Sequence, residues 1–138
     1  KTPQTGLEGK FSVYHSAAVA VIYGVAGEAE YSDAVVKDPR VVALRDRTSA
    51  TVDKSMHEDQ TRVTMRLKGG RTVEKFVEHA IGSLDRPMSD ADLEAKFRGL
   101  AKGVLSDSAC ERLIGLAWGV GKVEDAALIA KASVPAQS

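Results

Sequence analysis

The stretch Arg62-Val63-Thr64-Met65-Arg66-Leu67-Lys68-Gly69-Gly70-Arg71-Thr72-Val73-Glu74-Lys75-Phe76-Val77 decides the fold class. Its first six residues alternate polar and apolar, and its last seven do so more loosely, which is the period of a half-buried strand. Between them Lys68-Gly69-Gly70 can reverse the chain, since glycine supplies the positive φ of a tight hairpin. Upstream, Ala50-Thr51-Val52 predicts a third, short strand. The flanking sequence carries helical spacing instead. Ser12 to Tyr23, SVYHSAAVAVIY, runs up to Gly24, a good helix stop. Its second half, Ala17 to Tyr23, has no polar residue on any face, which predicts a central helix or one covered by another domain.

Asp38-Pro39 puts proline in the first turn of a half-exposed helix through about Arg47, with Arg45-Asp46-Arg47 as its solvated end. Ser89 and Asp92 form a capping box for a helix striped by Leu93, Phe97, Leu100 and Ala101 and ending at Gly103. Ser106 or Asp107 caps another helix through Trp118, and Val123 to Ala132 makes a last one beyond Gly119 and Gly121. Pro3, Gly6 and Gly9 predict an irregular lead-in over residues 1–10. Ile81 to Met88 is a loop, and Ser133 to Ser138 a frayed tail. The sum is a single α+β domain over residues 1–138: about three antiparallel strands with one hairpin, packed with four to five helices.

Composition narrows the function classes. With 19 basic and 19 acidic residues in 138, the chain lacks the cationic excess of a general nucleic-acid binder. No apolar run approaches the ~20 residues a membrane crossing needs. The single cysteine, Cys110, can form neither an internal disulfide nor a cysteine-rich zinc site, so a cytoplasmic setting is expected. It sits on a predicted helix as a small packing residue. Ala (19) and Val (16) far outnumber the seven aromatic residues, so each core side chain buries little area and a partner surface would help complete the core. No signal-peptide h-region and no initiator Met are present, which reads as a fragment of a longer protein.

His15, His57 and His79 show no metal-ligand spacing, and HExxH, CxxC, GxSxG, GxGxxG and phosphate-loop motifs are absent. His57 and His79 suit solvated positions. The remaining constellation is Lys10-Phe11-Ser12-Val13-Tyr14-His15. With Ser12 as N-cap, His15 falls in the first turn, beside free backbone N–H groups and the positive end of the helix dipole. That environment predicts a neutral imidazole with a lowered pKa, able to accept a proton. Lys10 cannot share a helix face with His15, but from a preceding loop its stem can fold over the same helix end. Two readings follow: a carboxylate receptor carrying its own general base, or a solvated lysine and a histidine that packs at a helix start.

At these residues the sequence resembles a family. Gly9-Lys10-Phe11-Ser12 with His15, followed by the Ala/Val helix to Gly24, looks like the opening of the small C-terminal domain of the MmgE/PrpD family. Asp38-Pro39-Arg40-Val41 with Leu44, the turn at Gly69-Gly70, and Pro87-Met88-Ser89-Asp90-Ala91-Asp92-Leu93 with Lys96-Phe97 resemble further family segments in the same order. The resemblance runs from about Gly6 to Ala132. It implies metal-independent lyase or epimerase chemistry on small polycarboxylates, in the manner of 2-methylcitrate dehydratase, cis-aconitate decarboxylase or iminodisuccinate epimerase, with no cofactor. It further implies that Lys10 holds a substrate carboxylate and His15 moves a proton. Ser12, and His57 where relatives often carry a Tyr, are implied to line the site. Family members carry a larger helical domain that also contributes to the site and is missing from these 138 residues, so this chain alone is expected not to turn over substrate. A homodimer is the expected assembly, and a non-catalytic association module is the competing role.

Overall fold

The computed structural model describes residues 1–135. The chain forms two compact units, Lys1–Ala80 and Ile81–Ser138. Among the described residues there are seven α-helices and one two-stranded sheet, so the α+β class holds with more, shorter helices than the sequence suggested.

The first unit is built around α1 (Gly6–Lys10), α2 (Val13–Tyr23), a 3-10 turn (Glu28–Tyr31), α3 (Asp33–Val36) and α4 (Pro39–Asp46). The caps are those that the residue types call for. Ser12 Oγ accepts from His15 N to start α2, and Gly24 ends it in the left-handed region at φ 74°. Asp38 caps α4, with Pro39 at its first position. The core lies between α2 and α4, where Ala18, Val19 and Val41 are fully buried and Ile22, Val35 and Leu44 pack around them.

Two expectations fail among these helices. Residues 6–10 form a helix instead of an irregular lead-in. Thr5 caps it, and the glycines are there for close packing: a Cβ on Gly9 would stand 3.0 Å from Val36 Cγ2 and 3.2 Å from the His15 ring. Arg45 is 3% exposed, not solvated, and its Nη1 donates to the Val36 carbonyl at the end of α3 (3.2 Å). Within this unit α2 is not a central helix, being buried on one face with Val21 53% exposed on the other, which leaves the expected cover by another domain as its alternative.

The hairpin forms where expected, though its strands are exposed rather than half-buried: β1 (Thr61–Arg66) pairs antiparallel with β2 (Thr72–Val77) in the register Thr61↔Val77 to Arg66↔Thr72. Gly69 and Gly70 take φ of 93° and 86° in the turn. Arg62 pairs with Glu74 across the strands at 2.8 Å and lies over the Phe76 ring. Ala50-Thr51-Val52 makes no strand, and Val52 is 90% exposed; the run pairs with neither edge of the two-stranded sheet.

The second unit holds α5 (Asp90–Ala101), α6 (Asp107–Trp118), a 3-10 turn (Val120–Lys122) and α7 (Ala127–Ala132). The capping box is present in both directions: Ser89 Oγ accepts from Asp92 N, and Asp92 Oδ2 accepts from Ser89 N. Ser106 settles the α6 cap. Arg98 of α5 holds Glu111 of α6 at 2.6 Å, and these bonds, with those to Glu94, raise the guanidinium pKa while lowering that of Glu111. Cys110 is buried on α6, as are Ala101 of α5 and Leu113 of α6. The last helix starts at Ala127, later than expected, because Val123–Ala126 stays irregular. Residues 136–138 of the expected frayed tail lie outside the described residues.

Candidate functional site at the junction of two helices

Lys10 is the last residue of α1, and His15 sits in the first turn of α2. Lys10 therefore extends from a helix end and not from a loop. Phe11 and Ser12 are all that separates the two helices, so the chain itself places both residues at one bend. Phe11 is 86% exposed there, while Ser12 is buried with its Oγ engaged by His15 N (3.2 Å).

Both side chains meet the 3-10 turn Glu28–Tyr31. The Glu28 carboxylate accepts from Lys10 Nζ through both oxygens, at 2.9 and 3.0 Å. The Glu30 carbonyl accepts from His15 Nε2 at 2.9 Å. Tyr31 stands edge-on to the His15 ring, centroids 5.3 Å apart at 61°, and its hydroxyl is 2.8 Å from Ser16 Oγ. The turn is held by its own chemistry, since Glu30 Oε2 accepts from Gly27 N. A few residues on, Asp33 Oδ1 accepts from Gly6 N at 2.6 Å, tying this segment to the start of α1.

The two side chains differ sharply in environment. Lys10 and Glu28 form an exposed pair, so solvent screens it and a competing carboxylate can replace Glu28 at little cost. His15 is 0% exposed, and its Nδ1 has no hydrogen-bond partner. A cleft of about 320 Å³ opens beside the bend, lined by Lys1, Thr2, Pro3, Glu8, Phe11, Ser12, Val13 and Tyr14. Ser12 borders it; Lys10 and His15 do not.

The sequence of the MmgE/PrpD C-terminal domain matches residues 1–120 of the chain. The chain belongs to the MmgE/PrpD family. Its match to the family's C-terminal domain takes in the bend, the hairpin, α5 and α6, and stops short of α7. Among curated proteins, no match to the chain is found.

Within this MmgE/PrpD domain the other nominated residue, His57, is exposed in the loop before β1. Its backbone N–H donates to Gln60 Oε1 at 3.1 Å, a local bond that does not link it to the bend. His79 is half-buried, and its Nδ1 lies 2.8 Å from Asp59 Oδ2; that bond is the first cause of the lowered Asp59 pKa. Glu28, Tyr31 and Ser16 escaped the sequence reading. Glu28 and Tyr31 lie between the two helices read from Ser12 and Asp38, where the acids Glu28 and Glu30 are the only signal, and Ser16 reads only as part of the first of those helices. No helix among the described residues is long and apolar enough to cross a membrane.

Proposed function

We propose that this chain is the C-terminal domain of a metal-independent, 2-methylcitrate dehydratase-like lyase acting on small polycarboxylic acids. It works in the cytoplasm as a homodimer, together with the helical domain that MmgE/PrpD proteins carry. The supporting observation is that Lys10 and His15 meet one four-residue turn, and that Lys10 already holds a carboxylate there. A substrate carboxylate replaces that of Glu28 on Lys10. His15 takes the proton from the carbon next to a carboxylate: the C–H bond breaks, an N–H bond forms, and the electron pair passes toward the carboxylate that the Lys10 ammonium stabilises. Loss of hydroxide from the neighbouring carbon completes the double bond and, with the abstracted proton, accounts for one water. Ser12 holds the first turn of α2 in place and, with His57, lines the site.

The test uses the full-length enzyme with 2-methylcitrate, following the unsaturated product by absorbance. His15→Ala and Lys10→Ala should each remove most turnover, and the 138-residue chain alone should show none, because the helical domain's share of the site is missing from it. Consumption of substrate without a new double bond would point to the family's epimerase chemistry. Unchanged turnover in both folded variants would leave the association role, which the exposed apolar side of α2, including Val13 and Val21, favours.

A further inference from the structure

The surroundings of His15 fix which of its nitrogens carries the proton. A carbonyl oxygen only accepts, so the 2.9 Å contact with Glu30 O puts a proton on Nε2. Nδ1 is buried with no partner. A second proton there would leave a buried charged donor unsatisfied, so Nδ1 carries the lone pair. The ring has little freedom to turn over. On one side Gly9 comes so close that a Cβ would stand 3.2 Å from Cδ2 and 3.5 Å from Nε2. The edge-on Tyr31 ring is a second neighbour. Tyr31 is anchored in turn: Ser16 Oγ donates to the Ser12 carbonyl (3.2 Å), which leaves the Tyr31 hydroxyl to donate to Ser16 Oγ (2.8 Å). The chain Tyr31–Ser16–Ser12 thus runs back to the cap of the helix that carries His15.

We infer that Tyr31, with the Glu30 carbonyl, is the positioning element of His15, and that it holds the ring as the Nε2–H tautomer with the lone pair on Nδ1. This rests on the reading of His15 as the base and adds to it the tautomer and a positioning residue, Tyr31.

The tautomer is measured directly. Long-range proton–nitrogen NMR on the ¹⁵N-labelled chain should show His15 protonated at Nε2, and a ring protonated at Nδ1 overturns the inference. In the full-length enzyme, Tyr31→Leu should lower kcat by roughly tenfold to a hundredfold with KM within about twofold, the scale of a misplaced catalytic group. Tyr31→Phe keeps the ring and should recover most of that loss. Should Tyr31→Leu fail to fold, Ser16→Ala removes only the hydroxyl anchor and should give a smaller kcat loss with a mixed His15 tautomer. Wild-type kcat and an unchanged tautomer in a folded Tyr31→Leu or Ser16→Ala enzyme would overturn it. His15→Gln separates the two levels: full activity there removes the base itself, whereas an inactive His15→Gln enzyme with an Nδ1-protonated wild-type ring removes only the present inference.

Discussion

Glu28 occupies Lys10, with both carboxylate oxygens within 3.0 Å of Nζ. The pair lies at the surface, so it marks what Lys10 can bind more than it stabilises the fold. Glu28→Gln removes the internal competitor while leaving the turn's own cap at Gly27–Glu30 in place. In the full-length enzyme the expected outcome is a KM for polycarboxylate lowered about two- to fivefold, the scale of an exposed ion pair, with kcat unchanged. An unchanged or higher KM in steady-state assays would count against Lys10 as the anchor.

Gly6 and Gly9 should not tolerate a methyl group. A Cβ on Gly6 would run into the Tyr31 carbonyl, and one on Gly9 would press on Val36 and His15, both fully buried and unable to give way. Although alanine is the better helix former, Gly6→Ala and Gly9→Ala should each destabilise the chain by about 1–3 kcal/mol. Urea unfolding decides it: a stabilised variant would mean that the turn is free to move off α1.

Arg45 is worth more as a packed stem and donor than as a charge. Its Nη1 caps the Val36 carbonyl while Nε has no partner. Arg45→Ala should cost about 2–4 kcal/mol through the lost volume and the unpaired carbonyl. Arg45→Met fills the space and should cost less. Equal losses in thermal unfolding would refute the packing account.

Acid should weaken the start of α4. Bonds from the Arg40 side chain and backbone, helped by the Tyr23 hydroxyl, hold the Asp38 carboxyl far below the usual aspartate value of 3.8. A carboxyl depressed in the folded state contributes stability that is fully present above its unfolded value and is lost as pH falls through that value toward the folded one. Melting temperature should therefore drop between about pH 5 and pH 2, and Asp38→Asn should flatten that part of the curve while lowering the plateau at neutral pH. A wild-type slope in Asp38→Asn would assign the effect to other carboxylates.

What was legible in the sequence was local chemistry. Ser12, Gly24, Asp38-Pro39, Ser89 with Asp92 and Lys68-Gly69-Gly70 each determine a cap or turn within a few residues, and each stands where its type demands. The errors came where a distant neighbour decides. Gly6 and Gly9 look like helix breakers until Tyr31 and His15 are seen against them. Arg45 looks solvated until α3 supplies a carbonyl, and Ala50–Val52 looks like a strand until no edge receives it. The same holds for the site. Lys10 and His15 stood out through spacing and family likeness, whereas Tyr31 gains its meaning only when the chain returns, sixteen residues after His15, to lay its ring beside the imidazole.

The open hairpin has a practical corollary. Every position of β1 and all but Val77 of β2 face water, so the ladder between them is guarded by little besides its own bonds. A trypsin digest under native conditions should nick first near Lys68 or Arg71, at the glycine tip, and spare the peptide bonds of α2 and α4. The band pattern on a gel would then give a quick readout of whether a binding partner has shielded that ribbon.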